Sequence, residues 1–165
     1  MTLAERLRDR IRREGPISFA DFMEAALHDP EGGYYSRGAR IGEGGDFVTS
    51  PWVSPAFAAT LARRFARDAR ALEGDLDFVE VGAGSGKFLS DFQDALTAES
   101  PDAAARTRFT AVERSARARE SLAALGIRVF ANAQDLPDRS VVGSIFANEL
   151  YDALPVSRVV GTAGG

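Results

Sequence analysis

The 165-residue sequence contains no cysteine. Disulfides, thiolate catalysis and thiolate-bound zinc are excluded, and a reducing compartment is compatible with that composition. Histidine occurs once, as His28, so a histidine-rich metal centre is excluded too, and no metal site is expected. No stretch approaches the roughly 18 consecutive apolar residues of a membrane-spanning helix. The N-terminus lacks the apolar segment and cleavage site of a secretory signal. From these absences a cytoplasmic protein without membrane association is expected. An excess of basic charge is also missing: the formal net charge is -4, which argues against a nucleic-acid partner. What is present is 45% hydrophobic and 27% charged residues, the balance of a folded globular chain long enough for one core.

The most informative stretch runs from Asp77 to Leu89. Phe78, Val79 and Val81 read as a short buried strand, Gly82, Gly84 and Gly86 break it, and Phe88, Leu89, Phe92 and Leu96 follow at helical spacing. Strand, glycine turn and helix open a nucleotide-binding α/β unit, in which the first N–H groups of the helix face a ligand. The dinucleotide pattern G-x-G-x-x-G needs glycine where Lys87 stands, and a P-loop needs glycine and Ser or Thr where Val81 and Phe88 stand. What remains is G-x-G-x-G around Ala83, flanked by Glu80. A second strand, 109–112, ends in Glu113, whose carboxylate can accept two hydrogen bonds from a ribose diol. The combination suits an S-adenosylmethionine site; a tight turn with an ordinary surface glutamate is the plainer alternative.

Taken in order, Leu3, Leu7 and Ile11 mark an amphipathic helix, and Ser18 caps a second one with a stripe of Phe19, Phe22, Met23, Ala26 and Leu27. His28 stands at that helix's end, where a structural cap is favoured over a catalytic base. Residues 31–55 hold six glycines, Tyr34, Tyr35 and the single Trp52, and read either as a lid or as an arm packed on the domain. A helix from Ser54 or Pro55 carries Phe57, Leu61 and Phe65. After the glycine-turn helix, Ser100-Pro101-Asp102 is a stop, Ser115 caps a helix reaching Leu125, and Ile127, Val129 and Phe130 form a third strand. Gln134 and Asp135 follow it directly, where they can meet an adenine amine or simply make a turn. Residues 142–147 form a fourth strand, with Asn148, Glu149 and Asp152 beyond its end, where a reacting group would approach the cofactor. Val156–Val160 reads as a further strand and 161–165 as the turn after it. A chain stopping there leaves a sheet edge uncovered, so a fragment that self-associates or pairs with a partner chain is expected.

These residues carry a resemblance. The stretches Ile17-Ser18-Phe19-Ala20-Asp21-Phe22-Met23, Asp29-Pro30-Glu31-Gly32-Gly33-Tyr34-Tyr35, Gly45-Asp46-Phe47-Val48-Thr49-Ser50-Pro51, Val79 to Gly86, and Asn148-Glu149-Leu150-Tyr151-Asp152-Ala153-Leu154-Pro155-Val156 resemble the MidA-like class I S-adenosylmethionine-dependent methyltransferases, a group that includes the mitochondrial complex I assembly methyltransferase. The glycine turn is generic to methyltransferases; the Gly45 and Asn148 stretches are far more specific. Trp52 departs from the glutamate usual after Thr-Ser-Pro. The resemblance implies an α/β, Rossmann-like class I methyltransferase sheet with an N-terminal helical extension and its C-terminal strands missing. Residues 1–72 would be helices and glycine-rich arm, and 73–165 a partial cofactor-binding domain. It implies S-adenosyl-L-methionine as cofactor, held by Glu80, Gly82, Ala83, Gly84, Gly86, Glu113 and Asn148. Gln134 and Asp135 would lie near adenine, and Asp46, Thr49 and Ser50 would close over it. Glu149 and Asp152 would face a protein substrate, an arginine side chain by analogy with the mitochondrial member. A non-catalytic cofactor-binding or assembly protein is the alternative, and an NAD-linked oxidoreductase is disfavoured by Lys87. The family's chains continue beyond the position of Gly165, so little activity is expected of this chain alone.

Overall fold

A computed structural model describes residues 1–162, which fall into two compact units: residues 40–149, and Met1–Ala39 together with the chain from Leu150 onward.

In the second of these, helix α1 (Leu3–Glu14) starts with a reciprocal cap, the Thr2 hydroxyl accepting the Glu5 N–H while the Glu5 carboxylate accepts the Thr2 N–H. Ser18 caps helix α2 (Phe19–His28) at the Asp21 N–H. Neither helix carries a fully buried residue. They are tied by Arg6, which donates to Asp29 at 2.5 Å and to Glu31 at 3.1 Å. His28 stacks on Tyr35, and its Nε2 lies 2.9 Å from the Ala153 carbonyl oxygen. A carbonyl only accepts, so that nitrogen carries its proton. Residues Tyr151–Ala153 make one 3₁₀ turn. The strand expected over Val156–Val160 does not form: the segment is irregular, and Val159 is 91% exposed. Valine favours strands because it packs on a pleated, half-buried surface, and no ladder partner reaches this segment among the described residues. The turn expected over 161–165 lies, from residue 163 on, outside the described residues.

The unit spanning 40–149 is an α/β layer structure. Helices α3 (Ser50–Val53) and α4 (Ala56–Ala69) precede strand β1 (Leu76–Val81), then α5 (Lys87–Glu99), α6 (Pro101–Ala105), β2 (Thr107–Val112), α7 (Ala116–Ala124), β3 (Arg128–Phe130) and β4 (Gly143–Ala147). The four strands are all parallel, in the order β3-β2-β1-β4, with Val79 opposite Thr110 on one side and Ile145 on the other. Parallel pairing aligns all four carboxyl ends along one edge of the sheet. One face of β1 packs Phe78 between Phe65, Phe88, Phe92 and Phe146, with Phe92 stacked at 3.9 Å between centroids. Leu89, Leu96 and Leu122 complete this core. The apolar spacing read as the inner face of α5 is buried as expected.

Two details escaped the sequence reading. Ser100-Pro101 does end α5, but it also begins α6: Ser100 accepts the Ala103 N–H and Pro101 occupies the first helical position, where its missing N–H costs nothing. Strand β4 also starts at a backbone contact that tolerates no side chain. Gly143 has φ +149°, and a β-carbon there would fall 2.1 Å from the Asp77 carbonyl oxygen. Strand β4 forms an edge of the sheet, and Ile145 on it is 64% exposed.

Candidate functional site

Between β1 and α5 the chain turns through Gly82, Gly84 and Gly86, all with positive φ. Gly82 extends the β1–β2 ladder by donating to the Val112 carbonyl, and Gly86 closes the turn onto the Ala83 carbonyl. Ala83 is buried. At Gly84, φ is +54° and a β-carbon would point into open space, so the turn offers bare backbone to anything approaching from that side.

Glu113 meets this turn. Its Oε2 accepts the Gly84 N–H at 2.9 Å and its Oε1 accepts the Ser115 N–H at 2.7 Å. One carboxylate therefore holds the glycine turn and the start of α7 together. Each oxygen keeps a further lone pair. The Glu113 N–H continues the β2–β3 ladder to the Phe130 carbonyl, which fixes the residue's backbone. Arg119 fixes it from the other side, donating to the carbonyls of Glu113 at 3.0 Å and Arg114 at 2.6 Å. The sequence reading missed Arg119: one of two arginines on α7 carries no signal until its side chain is seen to reach the carbonyls before the helix.

Glu80 is the least expected member. It is 4% exposed, and its Oε2 is buried with no hydrogen-bond partner. Burial, with the Glu113 charge adding to it, pushes its carboxyl up to about 8. At neutral pH the group is mostly uncharged.

The other candidates distribute as follows. Gln134 and Asp135 lie in a 3₁₀ turn just beyond β3, both exposed. The Asp135 carboxylate accepts from the N–H and the side-chain amide of Asn132, which is the turn chemistry open to it from the outset. Asn148 and Glu149 lie just beyond β4; Glu149 is exposed, with the left-handed backbone φ of +48° that non-glycine residues rarely adopt. Asp46, Thr49 and Ser50 belong to the arm before α4. There Asp46 pairs with Arg40 at 3.1 Å, Ile41 bridges Phe47, and the Trp52 ring covers the backbone of Gly42, leaving no room for a β-carbon. Thr49 and Ser50 begin α3, which packs against α5. The fold thus brings Glu80, Gly82, Ala83, Gly84, Gly86 and Glu113 into one cluster and sets Gln134, Asp135, Asn148 and Glu149 along the same sheet edge. Asp152 belongs to the other unit. No group of acidic or histidine side chains fit to hold a metal ion occurs among the described residues, and no helix there is long and apolar enough to cross a membrane.

Comparison with known proteins adds the following. Residues 60–165 match the family described as "Putative S-adenosyl-L-methionine-dependent methyltransferase". The chain is 37% identical over 92 residues to the protein arginine methyltransferase NDUFAF7, mitochondrial, of Danio rerio, covering 54% of this chain and 22% of that one. Against the Drosophila melanogaster homologue it is 35% identical over 104 residues, 62% of this chain and 24% of the relative. A solved superfamily member from Burkholderia thailandensis, bound to S-adenosyl-homocysteine, is 37% identical with a TM-score of 0.73, covering 93% of this chain and 42% of that structure. The chain thus spans about a quarter or less of the length of these curated relatives and two-fifths of the solved one. The fold and family resemblance read from the sequence hold. The cytoplasmic expectation does not: it rested only on missing signals, and the curated relatives matched are named as mitochondrial.

Proposed function

Since the chain belongs to the family of S-adenosyl-L-methionine-dependent methyltransferases, we propose that residues 73–165 supply the cofactor-holding part of a protein arginine methyltransferase, and residues 1–72 a helical extension and covering arm. The observation that carries this reading is the Glu113 carboxylate latched to the Gly84 N–H beside a turn with an open face. The residues present fit the cofactor: the Gly84 face admits a close approach, the Glu80 oxygen on the strand leading into that turn is buried without a partner, and Glu113 keeps one lone pair per oxygen for a ribose diol. When bound, the cofactor supplies an electrophilic methyl group, and the protein's task is alignment. Ala83 and Asn148 border the cofactor, Gln134 and Asp135 face its base, and Asp46, Thr49 and Ser50 cover it. Glu149 takes a guanidinium by paired, charge-assisted hydrogen bonds and turns one nitrogen toward the methyl group. The resemblance to relatives named as arginine methyltransferases supports the choice of substrate.

A second reading, a cofactor-binding assembly protein without turnover, is favoured by the exposed Ile145 on the open edge of β4, where a strand of a second copy or of a partner could pair. Calorimetry with S-adenosyl-homocysteine, paired with a labelled-methyl assay on arginine-containing protein, separates the two. Binding with transfer supports the enzyme, binding without transfer supports the assembly protein, and no binding refutes both.

A further inference from the structure

Glu113, Arg114 and Ser115 join β2 to α7 and belong to neither element. The ladder ends where the Glu113 N–H meets the Phe130 carbonyl. Beyond that bond each residue keeps two soft backbone angles, and a modest rotation at Glu113 would carry its carboxylate off the Gly84 N–H. Arg119 removes this freedom. It is the fourth residue of α7, half-buried where Arg117 is exposed. Its side chain reaches back along the chain, and one nitrogen, Nη1, donates both to the Arg114 carbonyl at 2.6 Å and to the Glu113 carbonyl at 3.0 Å. A cationic donor makes these bonds stronger than neutral ones. Among the described residues Arg119 pairs with no carboxylate. A guanidinium forked onto the Glu113 carboxylate would occupy both of its oxygens. Here the charge grips the main chain instead, and each carboxylate oxygen, having accepted one backbone N–H, keeps a lone pair for a ligand.

We propose that Arg119 is a positioning residue that sets the preference of this site for a ribose over a deoxyribose. It touches no ligand; it fixes the Glu113 backbone so that the carboxylate meets both hydroxyls of the diol. The inference rests on the cofactor reading above and on the ribose role of Glu113, and adds to them a determinant of sugar selectivity on α7. Two carboxylate oxygens take two neighbouring hydroxyls only when the carboxylate stands in one orientation. A rotated carboxylate takes one at most. Loosening Glu113 should therefore remove the advantage given by the second hydroxyl while leaving contacts to the rest of the ligand in place. One hydrogen bond to a charged acceptor corresponds to about tenfold in affinity.

The test is calorimetric titration of this chain with S-adenosyl-homocysteine and with its 2′-deoxy counterpart. The wild type should prefer the ribose form by about tenfold. In Arg119→Ala the ribose form should weaken by about that factor while the deoxy form stays nearly unchanged, so that the preference collapses toward one. A merely structural role would weaken both ligands equally, and an unchanged preference in Arg119→Ala overturns the inference. Should Arg119→Ala fail to fold, Arg119→Gln, too short to span both carbonyls, carries the same comparison with the same two outcomes. In the Glu113→Ala background, Arg119→Ala should change neither affinity further. A further loss of the ribose form there shows a route that bypasses Glu113 and overturns the positioning role. Equal binding of the two sugars by the wild type overturns the ribose role of Glu113 and this inference while the cofactor reading stands. Absence of any binding overturns the cofactor reading and this inference with it.

Discussion

Removing the Asp77 side chain should cost the sheet about 3 kcal/mol, most of it through one backbone amide. Asp77 is 3% exposed near the start of β1. Its Oδ1 and Oδ2 each accept from Arg108 of β2 at 3.0 Å, and Oδ2 also accepts the Val142 N–H at 2.9 Å, just before β4. One carboxylate therefore joins three strands. The Arg108 side chain is 52% exposed, so its ion pair is screened and contributes about 1 kcal/mol. The Val142 amide is only partly accessible, and losing a charge-assisted partner there costs about 2 kcal/mol. Asp77→Ala should thus lower unfolding free energy by about 3 kcal/mol, and Arg108→Ala by about 1 kcal/mol. Urea denaturation of both single variants and the double variant should give a coupling of about 1 kcal/mol. Equal losses from the two single variants would refute this division, because the ion pair would then be the main bond. A coupling near zero would show that Arg108 is not a partner in solution.

Glu80 gives the stability of the fold a pH dependence. Burial raises its carboxyl from 4.5 to about 8, so the unfolded chain loses this proton first and stability should fall by about 1.4 kcal/mol per pH unit between those values. Unfolding curves of Glu80→Gln should lack that decline; parallel pH profiles for variant and wild type would contradict the burial argument. The carboxyl of Asp77 is held below its usual value, net of its own desolvation, by Arg108 and the Val142 amide, so its contribution is lost only below about pH 4 and does not overlap that window. Glu113→Ala should weaken S-adenosyl-homocysteine about tenfold to a hundredfold by calorimetry, from losing a charge-assisted contact and releasing the Gly84 latch. Residues 40–53, closed on themselves by Trp52 over Gly42 and by Arg40–Asp46, should gain hydrogen-exchange protection when cofactor is added; equal exchange would make the arm static.

The features legible in the sequence were those written locally along the chain. A short apolar run, three glycines and a helical apolar period follow one another between Phe78 and Leu96, so strand, turn and α5 could be read directly, and the acidic residue closing the second strand could be placed on the same sheet edge. Where the local signal served two purposes, the reading went astray. Ser100-Pro101 both stops one helix and starts another, and Val156–Val160 has the composition of a strand but no ladder to join. The relations between distant residues belonged to the tertiary structure alone. Asp77 meets Arg108 and Val142 across 31 and 65 positions, and Glu113 reaches Gly84 across 29. Glu80 reads in the sequence as one more acidic residue beside a glycine turn. Only the folded sheet and its covering layers remove it from water and leave its oxygen without a partner, because burial is set by what folds over a residue and not by its neighbours in the chain.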